Sequence, residues 1–393
     1  MGDRARSAGP RVVVDARALH GSGIGRYLRE VLGALLVDTR FGEVALLGNP
    51  GELADFVAER GTSMPVRIEA HRGAFYTPRA QLSWRSLRLR GRTAGDVAFF
   101  PHYDAPLLGL PRRSVVAVQD LTHFKLPEAF AAWKRAGAGV LFESVVRSAA
   151  RVVVSSASTR TDLLERVPSA AGRVEIIPLG VGASFRACRR GECATCDRTW
   201  ALRPYLLCVG NRKPHKNLGA AVGALARLLP ERPDLKLVIA GSRFAARDEV
   251  DAHAAALGIR HAVLEQSDIT DAELRCLYTH AEALLFPSLY EGFGLPLLEA
   301  MACGAPVVAS NRASIPEVVG DAGLLVDPTD PEAMAGAVRR LREDTALCAA
   351  LVERGRERAA SLSWAETARR TLDVLYATSA ERAPRLASAL VAR

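Results

Sequence analysis

At 393 residues the chain has room for two domains of ordinary size, and 49% apolar with 24% charged residues is a globular composition. No apolar run reaches the roughly 18 residues of a membrane span, and Met1 to Arg11 is charged without the apolar centre of a signal peptide, so a cytoplasmic protein is expected. The net charge of +9 sits in the first half: residues 1–200 hold 29 Lys and Arg against 19 Asp and Glu, and residues 201–393 hold 23 against 24.

A basic first half favours anionic partners such as phospholipid headgroups, lipid phosphates or nucleic acid. No zinc finger, RNA-binding or helix-turn-helix signature supports nucleic acid. The expected partners are therefore an anionic membrane surface, met peripherally at the inner face of the plasma membrane, or an anionic lipid-linked acceptor. An arginine-rich composition with no partner explains the charge equally well.

In chain order, Val12 to Val14 read as a short buried strand, followed by Asp15, Ala16 and Arg17 and then "HGSGIGRYLREVLGALL". Gly21, Gly23 and Gly25 separate the strand from an amphipathic helix expected from about Tyr27. Their Gly-x-Gly-x-Gly spacing is a weak match to a dinucleotide loop, which needs Gly-x-Gly-x-x-Gly. Apolar runs recur at Val44–Leu47, Val97–Phe100, Val115–Val118, Val152–Val154 and Val174–Ile177, with helical stretches between many of them, which predicts parallel βαβ units. The segment "RAQLSWRSLRLRGR" (79–92) places Leu82, Trp84, Leu87 and Leu89 among arginines. It fits either a helix on an anionic membrane surface or an ordinary helix packed on its domain. Two polar loops, Pro101 to Pro106 with His102 and Gln119 to His123 with Asp120, follow strands. In open parallel sheets such loops line the ligand crevice.

Of the seven cysteines, Cys208, Cys276, Cys303 and Cys348 lie at apolar positions and read as core. Cys188, Cys193 and Cys196 cluster in "CRRGECATCDR", but a zinc site wants four ligands and no fourth Cys or His follows nearby until His215. No metal is expected there, and 188–200 reads as a mobile, arginine-rich connecting loop. An odd cysteine count without a signal sequence argues against a disulfide framework.

A second βα series starts at Tyr205–Val209. Gly210 permits a turn, Arg212, Lys213, His215 and Lys216 crowd cations at the strand's carboxyl end, and Asn217 reads as the N-cap of the next helix. A strand-loop-helix junction of this kind is where phosphates bind. Leu237–Ala240 and Val263–Leu264 are further strands. Leu284, Leu285 and Phe286 then end a buried strand, Gly292 and Gly294 give a close-turning loop, Pro296 suits the first helical position, and Gly304 suits the stop. The free N–H groups of that short helix attract anions. Glu291 before it and Glu299 about one turn inside it would repel phosphate unless each accepts hydrogen bonds from neutral hydroxyls on either side. Hydroxyls, a diphosphate and more hydroxyls describe a nucleotide sugar. On spacing alone, a capping Glu291 and a solvated Glu299 fit as well.

The run "FPSLYEGFGLPLLEAMACGAPVVASNRASIPEVVGDAGLLVDP" resembles the donor-site signature of the retaining glycosyltransferases of family 4, two-domain enzymes of the GT-B type. The resemblance is strongest at 205–345 and patchier at 11–125. It implies that Glu291 contacts the transferred sugar, that the backbone of Gly292, Phe293, Gly294 and Leu295 meets the diphosphate, and that Glu299 holds the ribose diol. It implies further that Lys216, with a partner among Asn211, Arg212 and His215 for which Arg212 is expected, contacts phosphate beside Gly210. Gly241, Ser242 and Ser267 to Ile269 would border the base. The glycine loop with Gly23, and the loops with His102 and Asp120, would face sugar and acceptor. Gln119 stands where many relatives carry a histidine, so a hydrogen-bonding role survives there and an imidazole role does not.

The resulting expectation is an α/β chain of GT-B fold, two doubly wound Rossmann-like domains facing across a cleft. Residues 1–187 are the acceptor-side domain, 188–200 the connecting loop, 201–365 the nucleotide-sugar donor domain, and 366–393 a helix crossing back with a tail. The expected reaction moves a sugar, with mannose suggested by the variant loops, from a nucleotide-diphosphate donor to a hydroxyl of a glycan or lipid-linked acceptor in cell-surface polysaccharide synthesis. No cofactor is expected, and the lack of an Asp-x-Asp pair argues that protein cations take the place of a bridging metal. A non-catalytic sugar-nucleotide binding protein, another GT-B enzyme such as an epimerase or phosphorylase, and a Rossmann oxidoreductase are the rival readings.

Overall fold

Short runs of Val, Leu, Ile and Phe become strands buried on both faces, and every pairing among them is parallel. The computed structural model describes residues 9–381 except 21–22, 72, 78, 83–95, 127–131, 190, 193 and 242–248. Its first sheet holds β1 (Arg11–Asp15), β2 (Glu43–Gly48), β3 (Val66–Ala70), β4 (Val97–Phe100), β5 (Ser114–Val118), β6 (Arg151–Val154) and β7 (Val174–Ile176), in the order β3-β2-β1-β4-β5-β6-β7. The second holds β8 (Tyr205–Val209), β9 (Lys236–Ala240), β10 (Val263–Gln266), β11 (Ala283–Phe286), β12 (Val307–Ser310) and β13 (Leu324–Val326), in the order β10-β9-β8-β11-β12-β13. Each sheet reverses direction of growth once, between β1 and β4 and between β8 and β11, and such a switch opens a crevice beyond the strand ends.

The helices of the first half are α1 (Gly23–Leu35), α2 (Pro50–Arg60), α3 (Thr122–Lys125), α4 (Ala132–Ser148) and α5 (Ala157–Arg166). Those of the second are α6 (Ala194–Trp200), α7 (Leu218–Leu228), α8 (Glu249–Ala256), α9 (Asp271–His280), α10 (Leu295–Ala302), α11 (Ile315–Val319), α12 (Pro331–Glu343), α13 (Thr345–Ala360) and α14 (Trp364–Ala380). Two doubly wound α/β units result, as the sequence led us to expect. The chain passes between them twice, side by side: Val181 bridges Ser363, and a Cβ on Gly180 would stand 2.0 Å from the Ser363 carbonyl carbon. Helix α14 then returns to the first sheet. Its Trp364, Ala368, Leu372 and Leu375 join Tyr27, Leu28, Val31 and Leu35 of α1 in one apolar cluster.

Several local expectations change. Helix α1 starts at Gly23, not near Tyr27, because Gly25 can press onto the preceding loop: a Cβ there would meet the Ala18 carbonyl oxygen at 2.6 Å. Strand β3 was not anticipated because its edge position leaves it half exposed, blurring the apolar pattern. Asn217 occupies the N-cap position of α7 without capping it. It is left-handed (φ 50°), and its amide donates instead to the carbonyls of Pro287 (3.2 Å) and Pro328 (2.7 Å). The connecting segment 188–200 ends in α6, with Cys188 and Cys196 buried, so it is not simply a mobile loop. Residues 83–92 of the arginine-rich stretch, with Trp84, lie outside the described residues, as do Cys193 and Ser242. No described helix is long and apolar enough to cross a membrane.

Candidate active site

The loops after β8 and β11, the pair flanking the second sheet's switch point, carry the cations and the acids. Glycine does two different jobs here. Gly294 has φ 109° at the N-cap of α10, a conformation that favours glycine, and no side chain caps that helix. Pro296 therefore falls one place later than expected, second in the helix, and still needs no N–H partner. Gly292 is required by proximity: a Cβ on it would stand 1.8 Å from the Gln119 carbonyl oxygen and 2.8 Å from the Asp120 Cβ. The loop of the second domain is thereby pressed against the strand-end loop of the first.

That contact is reinforced by hydroxyls. The Gly292 carbonyl oxygen has Ser155 Oγ at 3.0 Å, Ser156 Oγ at 2.8 Å and Thr159 Oγ1 at 3.1 Å, all from the first domain. Tyr290 donates to Asp162 at 2.7 Å, and the Glu317 carboxylate accepts the Ala157 N–H at 2.9 Å at the N-terminus of α5, where a negative charge is favoured. Ser314 Oγ donates to the carbonyls of Glu291 (2.9 Å) and Phe293 (3.0 Å), fixing the loop from behind.

Inside this frame Lys216 Nζ lies 2.6 Å from Glu291 Oε1, both side chains largely buried. Gly210, φ 137°, makes room for the lysine: a Cβ there would meet Lys216 Cε at 3.3 Å. The ammonium also sits 5.3 Å from the Phe286 ring centre. His215 is pushed below its ordinary range by burial, with Glu291 opposing. Arg212 lies in the same loop. Its guanidinium is 3% exposed and bonded to Glu265 of β10 at 2.9 Å.

Glu299 lies on α10, 4% exposed. Tyr278 of α9 donates to its Oε2 at 2.9 Å, and Arg26 of α1 pairs with its Oε1 while holding Asp271 at 2.7 Å. Burial raises the carboxyl's pKa; Arg26 and the tyrosine hydroxyl oppose the rise. It is not a solvated surface acid.

On the first-domain side, Arg17 is bonded to Asp15 (2.8 Å) and Asp104 (3.3 Å), both acids fully buried, and donates to the Asp104 carbonyl at 2.7 Å. This ties the end of β1 to the loop after β4. That loop's His102 accepts the Asp104 N–H on Nδ1 (3.0 Å), so its proton is on Nε2, 3.0 Å from the Tyr76 hydroxyl. Tyr76 donates to Tyr103 (2.9 Å), whose hydroxyl is 2.8 Å from His123 Nε2. Desolvation lowers His102 to about 4, against the pull of Asp120, so it is neutral at physiological pH. Asp120 itself accepts the Thr122 N–H at 3.0 Å. Gly23 heads α1 with open space around it. A cavity of about 460 Å³ beside Arg17 is lined also by Asn49, Glu52 and His71.

Glu291, Lys216, Gly210, Gly292 to Leu295 and Glu299 thus come together at the second sheet's switch point, with Asp120 touching from across the cleft. His102 belongs to a separate chain of rings. Arg26, Tyr278 and Tyr76 were not singled out in the sequence, and His123 only as the end of the loop that carries Asp120. Arg26 follows the last glycine of the glycine-rich stretch, in the first turn of α1, and was visible as a cation there, whereas Tyr278 gives no signal in an ordinary helical run.

Residues 201–358 match the family model described as glycosyl transferases group 1. The O-antigen chain mannosyltransferase B of Escherichia coli is 28% identical over 380 residues, 90% of this chain and 95% of that one. The MMP alpha-(1->4)-mannosyltransferase of Mycolicibacterium hassiacum is 32% identical over 236 residues, which take in 58% of this chain and 54% of its own length. Among solved structures, Anabaena HepE in complex with UDP and glucose superposes with a TM-score of 0.74 at 18% identity, covering 94% of this chain and all of that one. WaaG, a glycosyltransferase involved in lipopolysaccharide biosynthesis, gives 0.70 at 17% identity over 93% and 99%. The two-sheet arrangement is the GT-B fold shared with these structures.

Proposed function

We propose a specific reaction for this glycosyltransferase, whose residues 201–358 match the family model of glycosyl transferases group 1: it moves a hexosyl group, mannose first among candidates, from a nucleoside diphosphate sugar to a hydroxyl of a glycan or lipid-linked acceptor, with retention of configuration. The observation that carries the reading is the Lys216–Glu291 pair at the mouth of an uncapped helix, with Glu299 buried one turn further along. Two mannosyltransferases among the relatives support the sugar, and the O-antigen relative supports surface polysaccharide as the setting.

The chemistry follows from where charge develops. As the bond from the anomeric carbon to the diphosphate breaks, negative charge grows on the leaving oxygens. The α10 N–H groups and the Lys216 ammonium are donors already in place for it. Glu291 accepts from a sugar hydroxyl, and Glu299 accepts from the ribose diol with its charge kept by Tyr278 and Arg26. The acceptor oxygen bonds to the anomeric carbon on the face the phosphate leaves, and its proton passes to that phosphate. The contacts of Ser155, Ser156 and Thr159 with Gly292 keep this centre shielded from water across the cleft. Arg212, bonded to Glu265 at 2.9 Å, is the second cation this loop offers the diphosphate.

The test is nucleoside diphosphate release with GDP-mannose and UDP-glucose, with and without oligosaccharide or polyprenyl-diphosphate acceptors, and NMR of the product's anomeric proton. Acceptor-dependent release with a retained anomer supports the reading. Inversion, or donor binding without turnover for any acceptor, removes it.

A further inference from the structure

We propose that Cys188, Cys196 and Cys276 form a structural site for a thiophilic divalent metal, zinc being the expected ion. Their sulfurs come from two stretches of chain 80 residues apart and lie within 4.8 Å of one another, all buried. Zinc-bound thiolates sit about 2.3 Å from the ion, which puts the sulfurs of a tetrahedral site about 3.8 Å apart. Cys196 Sγ and Cys276 Sγ are 3.0 Å apart, so that edge opens by less than an ångström on binding. The three thiols make a patch of their own, separate from the large apolar clusters, where ordinary core cysteines such as Cys208 and Cys303 are merged with aliphatic neighbours.

The surroundings suit a thiolate site. Arg275, whose Nη2 is paired with Glu192 at 2.9 Å, stands near enough to Cys188 and Cys276 to interact with both electrostatically, and its Nε is buried with no hydrogen-bond partner. Such a donor offsets the negative charge of coordinated sulfur and points the thiolates at the metal. Thr279 Oγ1 accepts the Cys188 N–H at 3.3 Å, seating the loop cysteine on α9. Binding releases the thiol protons, one for each coordinated sulfur. Among the described residues the ligand set is these three cysteines.

A metal here fastens the segment joining the two domains to α9. That helix carries Tyr278, and Asp271 at its start holds Arg26, so it seats Glu299 from two sides. The site thus stiffens the back wall of the pocket without touching substrate. This consequence alone rests on the proposed role of Glu299; metal content does not.

The experiment uses the full chain, purified without a histidine tag from zinc-supplemented cells and analysed by ICP mass spectrometry. About one zinc per chain is expected, released in step with titration of thiols by an organomercurial, which needs no variant to fold. Cys196→Ser and Cys276→Ser lose the zinc, and Cys348→Ser on α13 keeps it. The metal-free chain with added cobalt(II) shows a thiolate-to-cobalt charge-transfer band. Protein with far less than one zinc and no cobalt band overturns the proposal. So does a Cys196–Cys276 disulfide in unreduced peptide maps, or zinc retained in both serine variants.

Discussion

A Cβ on Gly292 would stand 1.8 Å from the carbonyl oxygen of Gln119, in the opposite domain. Backbone of the loop after β11 and backbone of the loop after β5 are in direct contact, and no side chain larger than hydrogen fits between them. The pocket's geometry therefore depends on how the two domains sit. Gly292→Ala is expected to force them apart, lowering turnover at least tenfold and reducing Tm. Ser155→Ala removes one of three hydroxyls on the Gly292 carbonyl, at a cost of about 1 kcal/mol or less because two remain. Equal effects of the two substitutions in a thermal melt would contradict this account.

Lys216 and Glu291 neutralise each other across 2.6 Å. Glu291→Gln keeps the shape and removes the charge. Turnover is expected to fall roughly 100-fold, the scale of losing one preorganised polar contact to the transition state, with nucleoside diphosphate affinity little changed. Lys216→Ala is expected to weaken nucleoside diphosphate binding as well. Calorimetry with the diphosphate alone separates the two roles, and identical losses of affinity in both variants would disprove the assignment.

Tyr278→Phe deletes the 2.9 Å bond to Glu299. The carboxyl's pKa, already raised by burial, rises further, and the donor KM is expected to increase several-fold with kcat nearly kept. Glu299→Ala should raise it more. A KM for donor unaltered in both would remove the ribose role.

Arg17→Ala would leave Asp15 and Asp104 buried without their cation. Breaking a buried pair by removing one partner costs about 3–5 kcal/mol, so the urea midpoint should drop sharply. Lysine should rescue only part of the loss, since a point charge cannot make the forked contacts of a guanidinium.

His71 and His102 have pKa values near 4 in the folded chain against an ordinary 6.5, because burial disfavours their cations. The unfolded chain therefore binds more protons between those values. Their contribution to stability is whole above pH 6.5 and is lost as the pH falls toward 4, on the order of 2–3 kcal/mol for each group. Denaturant melts at pH 7, 6 and 5 should show the decline. It should shrink in His71→Asn, and a flat profile would refute it.

The order of strand and helix, the glycine loop with its two acids, and the lysine before Asn217 were all legible in the chain. Each depends on neighbours within a few residues: alternation of apolar runs, a helix start, a turn that only glycine makes. The pairing of Glu299 with Arg26 and Tyr278 was not, nor the relay from His102 to His123, nor the meeting of Cys276 with Cys188 and Cys196. Those contacts join segments far apart in sequence, and burial rather than spacing decides them. Glu299 shows the limit most plainly: the same letter four residues into a helix is a solvated acid or a buried one, according to what folds over it. Sequence determined which loops lie beyond the strand ends, because parallel βαβ connectivity leaves little choice. Which side chains are driven together there, and which charges are stripped of water, was decided only when the two domains and the returning last helix closed against one another.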